Sequence, residues 1–504
     1  MSLPELEPFL SWFQSNGGTI DLDAVGFKIF SAAEGGRGAV ALKNIEKEQT
    51  LFTIPRSLVL STDTSSLPEK FGLDDWKRRE LHKGWSGLIL CMMWEDAQAS
   101  DSKWAQYLVI LPTQFNTPMF WDEQDLKELE GTSVVEKLGK EDAERDFNDK
   151  VVPAIQSRPD LFPPESLSTY YSLERYHITG SRILSRSFDI ERGATDEVSG
   201  EEELDGEADR STGSAMDVDE DNAPAGVEDN SIQDDATGEE EEEDEEDAIN
   251  VSMVPVADLL NARYGSENAS AKLFYEDKVL KMIATKRISI GEQIWNTYND
   301  LPNSELLRKY GHVDVLPLQG GDEGNPADIV EIRADLVLST YLERSNEAAT
   351  TTSSHERIDW WLEEGGDDVF VVETNFDVPE AMISLTRLLY LSSSDWEKAR
   401  EKGKPPKPRL DLQTSNLLGL VLQKRIAQYP STIEEDKKLL KDEPGMPWNK
   451  YQALIVRLGE KRILNSTLQR LQTMVAAEKA KESGAQKRKP ASQSSKSTTK
   501  KTKR

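Results

Sequence analysis

Hydrophobic positions along the chain change period more than once. Between Val25 and Ser61 they fall in short runs, Ala39-Val-Ala-Leu42, Thr50-Leu-Phe-Thr-Ile54 and Ser57-Leu-Val-Leu60, separated by Gly35, Gly36, Gly38 and Pro55. Short apolar runs bounded by glycine and proline predict β-strands. From Trp76 to about Ser187 the spacing becomes helical, with Leu88, Ile89, Met92 and Met93 at core intervals and Trp104, Tyr107 and Leu108 following. Strands are expected again from Met253 to Tyr298, with a hairpin from Lys272 to Ala284. After Asp328 helical spacing runs to about Glu482, and Tyr451 to Leu471 is strongly amphipathic.

Two of the later apolar runs end in polar groups. Val254-Pro-Val-Ala-Asp258-Leu-Leu-Asn261 closes on a carboxylate and an amide, and Gly291-Glu-Gln-Ile-Trp-Asn296-Thr-Tyr298 on an amide and a phenol. Strand ends of this kind can position a reacting group. Taken alone, Asp258 and Asn261 also suit backbone capping at a strand-to-turn junction, and Tyr298 suits a core tyrosine with a satisfied hydroxyl. One internal echo joins the two strand regions: Lys43-Asn-Ile-Glu-Lys-Glu-Gln-Thr-Leu-Phe52 aligns without gaps to Lys286-Arg-Ile-Ser-Ile-Gly-Glu-Gln-Ile-Trp295. Similar turn chemistry and duplication both account for it.

Charge divides the chain further. The formal charge of −32 over 504 residues is concentrated between Glu191 and Asn250, where 26 acidic residues face 2 arginines. So acidic a stretch, with almost no aromatic or β-branched content, is expected to be a disordered loop that serves as a spacer or as a docking site for a basic partner. Lys487 to Arg504 holds 8 basic residues and no acidic one, the pattern of a disordered tail, a nuclear-import patch or a nucleic-acid tail. The remainder is acidic, which disfavours a structured nucleic-acid site. A single cysteine, Cys91, excludes an internal disulfide and a cysteine-rich zinc cluster. The N-terminus lacks a basic region ahead of an apolar one, and Trp85 to Trp94 is too short to span a bilayer, so a soluble, intracellular protein without a membrane partner is expected. His82, His177, His312 and His355 show no metal-ligand spacing, and no local Ser/His/Asp pattern occurs.

Glu34-Gly35-Gly36-Arg37-Gly38-Ala39-Val40 places three glycines before a strand, where a backbone can approach a ligand closely, although an ordinary turn would look the same. Taken together, this turn, Val254 to Asn261 and Ile288 to Tyr298 resemble, in order and spacing, the motifs of SET-domain protein-lysine methyltransferases. Pro118-Met-Phe-Trp121, Arg158-Pro-Asp-Leu-Phe162 and Ile455-Val-Arg-Leu-Gly-Glu-Lys461 narrow the resemblance to the branch of the Rubisco large-subunit methyltransferase, SET domain-containing protein 6 and the fungal ribosomal lysine methyltransferase 4.

The resemblance implies an α+β fold: a β-rich SET core split by a helical insert, followed by an all-α substrate-binding domain. The expected boundaries are 1–61 and 251–315 for the core, 62–190 for the insert, 191–250 for the acidic loop, 328–482 for the helical domain and 483–504 for the tail. It implies S-adenosylmethionine as cofactor, contacted by Gly36, Arg37, Gly38, Arg186, Asn261, Ala262 and Tyr298, with Trp104 and Ser187 beside the substrate and Tyr298 as the catalytic phenol. Many SET proteins carry Asn-His where this chain has Asn261-Ala262, so an imidazole contribution is absent; a backbone contact there would survive. The expected activity is lysine N-methylation of a basic, non-histone protein, a ribosomal protein foremost, by a monomer in the nucleus and also the cytoplasm. A noncatalytic SET-like binding module or acidic chaperone is the alternative, and a nucleic-acid-binding protein resting on the tail is a third.

Overall fold

The computed structural model describes residues 3–31, 34–191, 249–297, 299–318, 321–344, 348–443 and 445–486. Residues 192–248 of the acidic loop, 487–504 of the basic tail and Tyr298 lie outside the described residues; Glu191, Ile249 and Asn250, expected in the loop, are in strands, and 483–486, expected in the tail, continue the last helix. The chain forms two compact units, one of residues 1–129 and 134–327, the other of 130–133 and 328–504.

The first unit is built on short antiparallel strands. β1 (Thr19–Ile20), β4 (Thr50–Pro55), β8 (Val279–Ala284) and β7 (Ala271–Tyr275) form a four-stranded sheet in the order β1-β4-β8-β7. β2 (Val25–Ile29) pairs with β3 (Arg37–Ala41), and β5 (Ser187–Glu191) with β6 (Ile249–Met253). Alternation explains the sheet: in β8, Leu280, Met282 and Ala284 are buried while Val279, Lys281 and Ile283 are half-buried. β7 and β8 are the hairpin expected between Lys272 and Ala284.

Two expected strands end differently. Ser57-Leu-Val-Leu60 begins as a 3-10 turn at Arg56–Leu58, because Pro55 supplies no further ladder donor; only Leu60 bridges to β6, at Met253. Val254 to Asn261 is likewise not a strand, since pairing stops at Met253 and the backbone turns at Val256, which has φ 75° and ψ −45°. A buried β-branched residue rarely adopts this conformation, and it stores strain of roughly 1–3 kcal/mol. Asp258 is held in the 3-10 turn that follows, Ala257–Leu259.

The two echoing segments are related by a local two-fold axis. Ile45 and Ile288 exchange both backbone hydrogen bonds at 2.9 Å. Glu48 N donates to Ala284 O at 2.7 Å, and its counterpart Gly291 N donates to Ala41 O at 2.8 Å. Both turns take a left-handed residue at the same place, Glu48 at φ 68° and Gly291 at φ 87°. Each also folds a side chain back: Gln49 accepts from Glu46 N, and Glu292 from Ser289 N. The alignment therefore corresponds to two copies of one strand-turn-strand conformation, facing each other.

Helices cover the first unit's core. Ser86–Ala97 is buried on nearly every side, with Leu88 to Trp94 all inside, which accounts for its continuous apolar run. Helix Leu173–Arg186, capped by the Ser172 hydroxyl, buries Tyr176, Thr179 and Ile183 at helical intervals and ends on Arg186 where β5 begins.

Among its described residues the second unit is mainly helical, with one strand pair, Ile329–Arg333 against Val369–Glu373, where an all-α domain was expected. Its longest element, Trp448–Gln486, extends the amphipathic stretch read from Tyr451, and packs with Leu412–Ile426 and Ile433–Asp442. The motif Ile455 to Lys461 carries buried ions. Arg457 and Lys461 bond to Asp436, whose own burial is nearly complete. Glu460 accepts from the Tyr429 hydroxyl at 2.5 Å and from Ser133 N and Oγ at 3.2 and 3.1 Å.

Candidate active site

The site is assembled from three strand ends of the first unit. Gly35 and Gly36 turn the chain into β3 with φ of 91° and 70°. Asn261, just past the Asp258 turn, points its amide nitrogen into this turn: Nδ2 lies 2.8 Å from Gln293 Oε1, 3.3 Å from Arg37 O and 3.5 Å from Glu34 O. Gln293 in turn donates from Nε2 to Glu34 O at 3.1 Å. A Cβ on Gly35 would lie 2.6 Å from Asn261 Cγ, and one on Gly38 would lie 2.4 Å from Gln293 Oε1. Close approach, rather than turn geometry alone, therefore requires glycine at both. At Gly36 nothing stands within 4 Å of the Cβ position.

The third strand end comes alongside at Asn296, whose N–H donates to Asn261 O at 2.9 Å; Ala262 and Asn296 form a parallel bridge. Ala262, Arg263, Tyr264, Asn299, Leu301 and His312 line a recess of about 20 Å³, room for roughly one water.

Asp258 does not cap the turn. Val256 is the N-cap residue, and Asp258 Oδ2 instead accepts from the Tyr107 hydroxyl at 3.0 Å. Arg186 Nη1 donates to Asp258 O at 2.6 Å and lies 3.7 Å from Oδ2. Burial raises the Asp258 carboxyl above its usual range, opposed by the Arg186 charge, the Tyr107 hydrogen bond and Arg37. Burial, then the Asp258 charge, push the Tyr107 phenol well up. Arg37, which donates to Ile110 O at 2.8 Å, is lowered by burial and by the Arg186 charge.

Of the residues expected at the site, Gly36, Arg37, Gly38, Asn261 and Ala262 converge around the glycine turn, and Arg186 joins them through Asp258. Trp104 is 2 % exposed and donates its indole N–H to Leu58 O at 2.9 Å. Ser187 is wholly buried, with no partner for its hydroxyl among the described residues. Sequence reasoning missed Gln293 and Tyr107. Gln293 lies within the quoted motif, but its bond to Asn261 spans distant segments; Tyr107 read only as core spacing.

Among the described residues no group of His, Cys, Asp and Glu could hold a metal ion, and no helix is long and apolar enough to cross a membrane.

The SET domain family model matches residues 36–299, and the model described as Rubisco LSMT substrate-binding matches residues 340–464. Ribosomal lysine N-methyltransferase 4 of Saccharomyces cerevisiae is 30% identical over 316 residues, 62% of this chain and 56% of that protein. Human N-lysine methyltransferase SETD6 is 28% identical over 461 residues, covering 86% of this chain and 84% of the human protein. The solved SET domain of LSMT bound to lysine and AdoHcy superposes with a TM-score of 0.63 at 18% identity, covering 95% of this chain and 92% of that one, a likeness of fold. The glycine turn seated on Asn261 thus lies inside a SET match that takes in more than half of the sequence, and the chain belongs to the SET-domain family, its core followed by a Rubisco LSMT substrate-binding domain.

Proposed function

We propose that this chain is an S-adenosylmethionine-dependent protein-lysine N-methyltransferase acting on a basic, non-histone protein, with a ribosomal protein as the favoured substrate. The observation that carries the reading is the packing of Asn261 and Gln293 against the Gly35–Gly38 turn. It fixes a backbone cradle that has open space at Gly36 and two arginines nearby, Arg37 and Arg186, for an anionic group. These residues fit S-adenosylmethionine, which when bound supplies an electrophilic sulfonium methyl. The curated relatives in yeast and human are named as lysine methyltransferases, and the yeast one as ribosomal, which supports the substrate class.

The chain's own task is alignment, because methyl transfer to an amine is an in-line displacement that needs a neutral nucleophile, whereas free lysine has a pKa of about 10.4. Desolvation at the site favours the neutral amine. Gly36, Arg37, Gly38, Asn261 and Ala262 would hold the methyl donor, and Arg186 would complete the cationic side. Tyr298, two positions after Asn296 in the sequence, would orient the amine and stabilise developing charge through its hydroxyl.

Labelled S-adenosylmethionine incubated with the protein and a cell extract tests the reading. Label should enter a basic protein at lysine, identified by mass spectrometry, and Tyr298→Phe should abolish transfer while leaving the circular-dichroism spectrum intact. Transfer undiminished in Tyr298→Phe would sink the assignment of the phenol; no transfer by the wild-type chain would leave the binding-module alternative.

A further inference from the structure

The buried carboxylate of Asp258 needs a role of its own. Its side chain is wholly inaccessible to solvent, so it cannot meet a ligand from the medium, and it caps no helix. Its environment is nevertheless built. One oxygen accepts from Tyr107, the other has no partner among the described residues, and Arg186 grips the same residue at its carbonyl, 2.6 Å away. Arg186 is the last residue of its helix and its side chain is 24 % exposed. A guanidinium offers five N–H donors, so one end fixed on Asp258 leaves others to face outward. Arg37 supplies a second positive charge beside it, in the strand that opens the cradle.

We infer that Asp258 is a positioning residue, which holds Arg186 where its guanidinium receives the carboxylate of the cofactor's amino-acid moiety; the inference rests on the methyltransferase reading above. Two arginines repel each other, and Asp258 is the buried counter-charge that keeps both near the cradle. Tyr107 fixes the carboxylate in turn. Removing the negative charge leaves Arg186 its bond to the Asp258 main-chain oxygen but takes away the ion pair at 3.7 Å, so the repulsion from Arg37 is no longer offset and the guanidinium is held less firmly. The loss falls on recognition of the amino-acid end, because the nucleoside carries no anionic group for Arg186 to receive.

Two ligands separate these ends. S-adenosylhomocysteine carries the amino-acid moiety, and 5′-methylthioadenosine lacks it. By titration calorimetry, Asp258→Asn should weaken S-adenosylhomocysteine about tenfold or more, the scale of a lost charge-assisted contact, while 5′-methylthioadenosine binds within about twofold of wild type. Tyr107→Phe removes only the hydroxyl, and should show the same selectivity with a smaller loss, so the test survives if Asp258→Asn does not fold. In steady state, KM for S-adenosylmethionine should rise with kcat nearly unchanged. Equal loss for both ligands, or no loss for either, overturns the inference and leaves Asp258 a structural residue. A wild-type chain that binds neither ligand overturns the methyltransferase reading itself, and the inference with it.

Discussion

At the scale of single residues, the cradle depends on two glycines for different reasons. Gly36 has the left-handed backbone and open space, so Gly36→Ala costs roughly 1 kcal/mol from conformation alone. Gly38 has no left-handed φ, yet its added Cβ would meet both Gln293 Oε1 and Asn261 Nδ2, two amide heads pinned to each other and to Glu34 O. Gly38→Ala should therefore cost more, on the order of 1–3 kcal/mol, by prying that pair apart. Urea denaturation of the two variants checks the ranking. A Gly38→Ala protein as stable as Gly36→Ala would show that the amide pair yields without cost.

At the scale of elements, the long helix Trp448–Gln486 carries a titratable group in an unusual state. Glu460 is wholly buried, and burial raises its carboxyl from the usual range to about 7, opposed by the Arg425 charge and by donors from Tyr429 and Ser133. A folded-state value above the unfolded one means that the neutral acid is favoured on folding. Its stabilisation is complete below about pH 4 and is lost as pH rises through about 7, amounting to roughly 3 kcal/mol. Thermal unfolding midpoints should fall between pH 5 and 8 in the wild type. Glu460→Gln keeps an acceptor for Tyr429 and Ser133 without the charge, and the difference between the two proteins should flatten above pH 8. Parallel pH profiles for the two would exclude Glu460 as the source.

Legibility from sequence follows the same boundary between local and distant causes. Ala39-Val-Ala-Leu42, Thr50 to Ile54 and the Lys272–Ala284 hairpin were readable because alternation and turn residues are local. Ser57–Leu60 was not, since a residue after a proline can continue extended or turn, and only the pairing partners decide. Asn261 was readable through its motif, but its partner Gln293 was not. Asp258 was ambiguous for the same reason: its deciding contact, Tyr107, lies 151 positions away. The motif Ile455 to Lys461 was recognisable as a pattern without its cause, because Asp436 and Ser133, which satisfy its buried ions, belong to other segments.

At the scale of the whole molecule, charge is distributed unequally, and the acidic segment carries the charge that the proposed basic substrate would meet. Methylation of such a substrate should weaken at high salt, since exposed charges are screened over about 8 Å at physiological ionic strength. A chain lacking Glu201 to Asp247 should lose substrate affinity and most of that salt dependence. Equal salt dependence in the two chains would end the electrostatic idea. The deletion is a clean instrument because of β5 and β6. Glu191 and Ile249 are paired neighbours in that ladder, so the two ends of the acidic segment meet at one spot. The core fixes only the distance between those two ends, and chain-closure entropy grows slowly, about 2 kcal/mol for a tenfold change in length. A replacement of another length or charge pattern therefore has only those two ends to join, and the β5–β6 register that sets Ser187 opposite Met253 should survive the exchange.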